Sequence, residues 1–147
     1  MTRPAAREIA MRLSFFATAH GGDADELISA FFDREYYATL YPEDKLFSKY
    51  PNKKQLVYIT ELAGGVASRR SEIDSIIEKH SKGWKVNRIS KTAAAVLRCC
   101  IFEIKYMEEV PDAAAINEAV ELSKNYDEPE TTAFINGILG SVVREEI

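Results

Sequence analysis

The chain has 147 residues, 46% hydrophobic and 29% charged. That length supports one domain or two tightly packed subdomains, with a core that needs no disulfide or metal staple. The composition is that of a soluble globular protein, no apolar run is long enough to span a bilayer, and the first residues lack the apolar core of a secretory signal.

The net charge of −4 is unevenly spread. Residues 1–44 carry four Lys/Arg and eight Asp/Glu, residues 45–91 eleven and four, and residues 92–147 four and eleven. A basic middle therefore lies between acidic ends, and overall acidity does not exclude a phosphate-seeking surface. Ordinary solvated helix faces would account for the same charges.

Only helices are predicted. The first runs from about Arg3 to Ala19 and stops at Gly21-Gly22. Its apolar stripe is Ala6, Ile9, Ala10, Leu13, Phe16 and Ala17, which leaves Arg3, Arg7, Met11 and Phe15 outside it. Phe15 lies about 160° from the stripe's centre. Asp23 caps a second helix reaching about Tyr37, and residues 39–53, with Pro42 and Pro51, form a long loop. A long third helix spans about Lys54 to His80, with Gly64-Gly65 there either to bend it or to let another helix approach closely, and Gly83 ending it. Trp84 to Ser90 is a connector. The fourth helix, about Lys91–Glu109, is apolar nearly all round and is expected at the centre. Pro111 and Asp112 open a fifth helix to about Asn125, and a sixth starts near Glu130. In that last helix Ile135, Ile138, Leu139 and Val142 form the packing stripe, and Gly137 and Gly140 offer a small-residue strip for close helix approach.

Catalytic chemistry finds little support. There is no Gly-rich phosphate loop and no GxSxG. His20 and His80 lack metal-ligand spacing. Cys99 and Cys100 are neighbours in the most apolar helix, roughly 100° apart around it, and read as buried thiols of a reducing cytoplasm. Glu118 and Glu121 share a helix face and fit a surface or ion-pairing role better than an acid/base pair.

The outer face of the first helix is more informative. Guanidinium groups bind phosphate and aromatic rings stack on exposed bases, so Arg3, Arg7 and Phe15 suit single-stranded RNA; a helix sandwiched between subdomains, with Phe15 packed against protein, is the other reading of the same residues. In the central helix Arg98 and Glu103 stand five residues apart and do not pair naturally with each other. Arg98 is expected to be structural and to meet an acid of the fifth helix, with Glu118 the favoured partner.

Several segments together point to a family. They are Ala6-Arg7-Glu8-Ile9-Ala10, Trp84-Lys85-Val86-Asn87-Arg88-Ile89-Ser90, Ala95-Val96-Leu97-Arg98 with Phe102-Glu103-Ile104, Val110-Pro111, Ile116 to Lys124, and Phe134-Ile135-Asn136-Gly137-Ile138-Leu139. In this order and with these gaps the chain resembles the NusB transcription antitermination factors over nearly its full length. The resemblance implies an all-α fold of two small packed helical bundles, about 1–80 and 84–147 within a single domain of residues 1–147. It implies binding of boxA-like single-stranded RNA of ribosomal RNA leaders together with NusE, the small-subunit ribosomal protein, and through that complex an indirect link to RNA polymerase. It implies no catalysis, cofactor, metal or membrane, and a cytoplasmic location.

Carried over by position, the RNA-facing residues are Arg3, Arg7, Phe15 (where the family often has Tyr), Glu130 and Phe134. The chain departs from the family at Arg12-Leu13-Ser14-Phe15, in place of Gln-x-Leu-Tyr. Ala93 and Ala94 replace an acidic-basic pair whose acid contacts RNA in the family. Pro4 and Ala5 stand where charge is common; fewer phosphate contacts imply a shallower salt dependence. Two other readings stay open: a NusB-fold protein-interaction module without specific RNA recognition, and a relative of the RNA-binding domain of RNA cytosine methyltransferases, although the methyltransferase domain and its Gly-rich loop are missing.

Overall fold

Helix α1 (Arg3–His20) starts where Thr2, in extended backbone, accepts a hydrogen bond from the Ala5 amide at 3.2 Å. Pro4 occupies the first turn, where an amide proton has no helical partner to lose. The helix ends at Gly21, whose φ of 67° is the left-handed conformation glycine adopts without steric cost. Residues 1–146 of the computed structural model are described, without the side chains of His20 and Glu146. No strand occurs among them, as the sequence predicts.

The described chain divides into two compact units, Met1–Ala67 and Ser68–Ile147. The first holds α1, α2 (Ala24–Phe31), α3 (Arg34–Ala38), a 3₁₀ turn at Lys45–Phe47 and nearly all of α4 (Lys53–Ser68). The predicted second helix is thus two, each with an aspartate cap: Asp23 accepts from the Asp25 and Glu26 amides, and Asp33 from Tyr36. The predicted loop is pinned rather than free. Phe31, Phe32, Tyr37, Phe47 and Tyr50 form an aromatic cluster, the Tyr37 hydroxyl donates to the Lys49 carbonyl at 2.9 Å, and Tyr50 donates to that of Phe32 at 2.5 Å. Burial pushes the Tyr37 phenol up to about 12.

The second unit holds α5 (Arg70–His80), a 3₁₀ turn at Val86–Arg88, α6 (Lys91–Tyr106), α7 (Asp112–Ser123) and α8 (Pro129–Glu146). Helix α6 is its centre: every residue from Ala93 to Ile104 is buried, and α5, α7 and α8 pack around it. The buried Ser123 hydroxyl donates to that of Thr132 at 3.0 Å, and His80 Nδ1 shares a hydrogen bond with Ser141 at 2.7 Å, tying α7 and α5 to α8.

Three expectations are corrected here. The long helix over 54–80 breaks at Arg69 (φ −114°, ψ 22°), not at Gly64-Gly65, and α5 joins the second unit. The break has a cause in α5's partners. It lets Arg69 stack on the Tyr106 ring at 4.3 Å, turns Ile73, Ile76 and Ile77 inward, and brings Asp74 to Arg98. The acid that meets Arg98 is therefore Asp74, not Glu118: Arg98 Nε and Nη2 donate to its two oxygens at 2.7 and 3.1 Å. Gly137 and Gly140 do not mediate a close helix approach. A Cβ at Gly137 would meet nothing within 4 Å, and one at Gly140 would meet only the Arg144 side chain of its own helix.

The Arg98–Asp74 pair makes a stability prediction. Its two side chains are only 7% and 20% exposed. Removing one partner of a buried pair strands the other, at a cost of about 3–5 kcal/mol. Asp74→Ala should lose about that much in urea unfolding, and the double change Asp74→Leu with Arg98→Met should recover most of it. A loss below ~1 kcal/mol in the single variant would show that Arg98 finds another acceptor.

Candidate nucleic-acid interface

The first unit presents its cations through Tyr58 of α4. The Arg3 guanidinium, exposed at the start of α1, lies 4.3 Å from the Tyr58 ring centre. Arg7, one turn on, lies 6.0 Å from the same ring but is only 5% exposed. A stacked guanidinium keeps the N–H groups around its edge for a phosphate, so Arg3 is held ready for one.

The outer face predicted for Arg7 is not what forms. Arg7, Met11 and Ser14 are all buried beside the expected stripe of Ala6, Ile9, Ala10, Leu13 and Ala17, so α1 is covered on more than one side. Phe16, placed in the stripe by its spacing, is 48% exposed instead, and Phe15 is half-buried against its edge at 5.8 Å. Tyr58 was missed because its position on α4 is also one that a core residue would take. Arg12, where the family pattern has Gln, is engaged within the unit: it bonds Glu8 at 3.2 Å and Asp44 at 2.5 Å. The Arg12 hydrogen bond, aided by the Leu46 amide, holds the Asp44 carboxyl below the usual carboxylate range.

The second unit carries an open pocket of about 340 Å³ lined by Trp84, Arg88, Ile89, Ser90, Glu130, Thr131 and Phe134. It brings together Glu130 and Phe134, both carried over from the family resemblance, and adds Trp84 and Arg88, which belong to a quoted motif without an assigned role. Trp84 meets Phe134 edge-on at 6.4 Å and remains 56% exposed. That exposure is not slackness of the connector. Lys82 and Gly83, at φ 54° and 91°, reverse the chain after α5. Ser81 Oγ then donates to the Trp84 carbonyl at 2.6 Å, and the Val86 amide donates to Glu78 at 2.9 Å.

At the far end Ser90 caps α6 by accepting from the Ala93 amide at 3.1 Å, and it donates to Asp127 at the same distance; Thr92 donates to that Asp127 oxygen too. The connector is thereby tied to the turn before α8. Ala93 and Ala94 are buried, so these departures from the family pattern lie in the packing of α6, away from the open surface. Among the described residues no cluster of His, Cys, Asp and Glu is arranged to hold a metal.

Chemically, the pocket offers two aromatic faces for stacking, a guanidinium for a phosphate, and a carboxylate that can accept hydrogen bonds from exocyclic amino groups. That set suits an unstacked nucleotide.

The model of the NusB family matches residues 4–144. The transcription antitermination protein NusB of Acetivibrio thermocellus is 42% identical over 147 residues, covering 100% of this chain and 92% of that protein. The crystal form of T. maritima NusB has the same fold, with a TM-score of 0.79, 23% identity, and 99% and 92% of the two chains covered. So does the structure described as antitermination factors NusB and NusE in complex with dsRNA, with a TM-score of 0.74, 22% identity, and 97% and 96% covered.

Trp84 is the single tryptophan, so its emission reports on this pocket alone. Lys82, Lys85 and Arg88 surround it with more positive than negative charge, which concentrates anions nearby. Iodide should therefore quench Trp84 more strongly than caesium at low ionic strength, and Lys82→Gln with Lys85→Gln should narrow the difference. Equal quenching by the two ions would show that no positive potential exists at the indole.

Proposed function

The chain belongs to the NusB family, and we propose that it acts as a non-catalytic RNA-binding adaptor in transcription antitermination, binding boxA-like single-stranded RNA jointly with NusE. The observation that carries the RNA part is the pinned, exposed Trp84 facing Phe134, with Arg88 and Glu130 on the rim. A packing role alone does not require an indole held half in solvent in a pocket that also holds a guanidinium and a carboxylate. The joint action with NusE is taken from the family, one of whose members was crystallised with NusE and RNA.

In this reading Phe134 and Trp84 each offer a stacking face to RNA bases, Glu130 accepts from base amino groups, and Arg88 neutralises a phosphate. Arg3 supplies a phosphate contact on the first unit. Arg7 acts beneath it as a positioning residue, through Tyr58. Phe15 contributes through Phe16, the more open of the two rings. The working place is the cytoplasm, where nascent RNA is made; no helix among the described residues is long and apolar enough to cross a membrane.

The test is binding of labelled boxA-like and scrambled RNA, with and without NusE, across a salt series. The boxA-like RNA should bind more tightly, and NusE should widen the gap. Phe134→Ala should lose about 1–3 kcal/mol of affinity, the value of one stacked base. Arg3→Ala should weaken all RNAs alike and flatten the salt slope by about 0.7. Equal weak binding to both RNAs under both conditions would defeat the proposal.

A further inference from the structure

From Lys82 to Lys91 every third residue is a cation, Lys82, Lys85, Arg88 and Lys91, and the ten residues contain no carboxylate. All four are exposed. Among the described residues Lys82, Arg88 and Lys91 have no ion-pair partner, and Lys85, 73% exposed in its side chain, reaches Glu78 only at 4.0 Å.

The backbone aligns the middle two, Lys85 and Arg88. The Arg88 amide bonds the Lys85 carbonyl at 2.9 Å across the 3₁₀ turn, and side chains three residues apart in that geometry eclipse one another. Two positions carry a cation against local preference. Lys91 stands in the first turn of α6, where the helix dipole disfavours positive charge, and that turn has no acid. Lys82 adopts φ 54°, a conformation better suited to glycine or asparagine. The sequence that follows is acidic: residues 92–147 hold four Lys/Arg against eleven Asp/Glu. Helix propensity, turn chemistry and ion pairing within the chain leave this row unexplained; a polyanion explains it.

We propose that Lys82, Lys85, Arg88 and Lys91 form a phosphate-binding track for single-stranded RNA, leading past the Trp84–Phe134 pocket. The track takes the phosphodiester backbone of nucleotides flanking the one that stacks, without regard to their bases. It supplies the salt-dependent affinity that the sparse cations of α1 do not. This inference rests on the RNA-binding reading above and extends it from the pocket along the connector.

Two RNAs separate the two ideas: a boxA-like oligomer, and the same oligomer lengthened by about ten nucleotides, within the site size of a single-strand groove. Wild-type protein should bind the longer RNA more tightly and with a steeper salt slope. Lys82→Gln with Lys91→Gln should lose that gain and lower the slope by about 1.4, two contacts at about 0.7 each. Lys53→Gln with Lys54→Gln removes the same charge from exposed positions on α4 and should leave the slope unchanged. If the Lys82/Lys91 variant keeps the wild-type slope, or both double variants lose it equally, the track is overturned while RNA binding stands. If wild-type protein binds neither RNA at low salt, the RNA reading falls and the track with it.

Discussion

The second unit is organised around one buried guanidinium. Arg98 is 6% exposed in the middle of α6, a helix whose other inward positions are mostly apolar. A charge so placed must be met by an opposite charge in bidentate geometry, because an unpaired guanidinium there costs more than the surrounding packing can offset. Asp74 meets it, and that requirement fixes α5 against α6 in rotation and register. The rest follows along the chain. With α5 fixed, its last turn presents Glu78 to the Val86 amide and His80 to Ser141 of α8. The connector then starts from a defined place, and Trp84 is carried to the rim of a pocket whose other wall is α8.

The same constraint shows what sequence patterns reveal and what they leave out. The centrality of α6 was legible because an all-round apolar helix has nowhere else to go. The capped start at Asp23 and the stop at Gly21 were legible because each depends on a few adjacent residues. The partner of Arg98 was not. Several acids in neighbouring helices satisfy the same electrostatic need, and the choice of Asp74 over Glu118 depends on how α5 packs, a long-range property. The break at Arg69 has the same origin: local propensity favours one continuous helix, and the tertiary contacts of Arg69 and Asp74 override it.

Helix α1 teaches a different lesson. A helical wheel divides a helix into one buried and one open face, which holds for a helix lying on a single core. This helix is covered on more than one side, so Arg7 and Met11 are buried, and Phe16, which the wheel placed inside, is open. Of the predicted RNA-facing residues, Arg3 keeps an exposed cation, Glu130 and Phe134 share one pocket, and Arg7 is buried. Trp84 and Arg88 were visible as part of a motif. Their meeting with Phe134 was not, because it depends on the hydrogen bonds of Ser81 and Ser90 that shape the connector.

The central claim is that RNA reaches the Trp84–Phe134 pocket of the second unit. Trp84 emission during titration with boxA-like RNA measures this directly, with anisotropy of the labelled RNA followed on the same samples. The account expects saturable quenching of Trp84 with the dissociation constant given by anisotropy, because a stacked base quenches the indole it covers. Anisotropy that saturates while Trp84 emission stays unchanged would contradict it, and would place the RNA elsewhere on the protein.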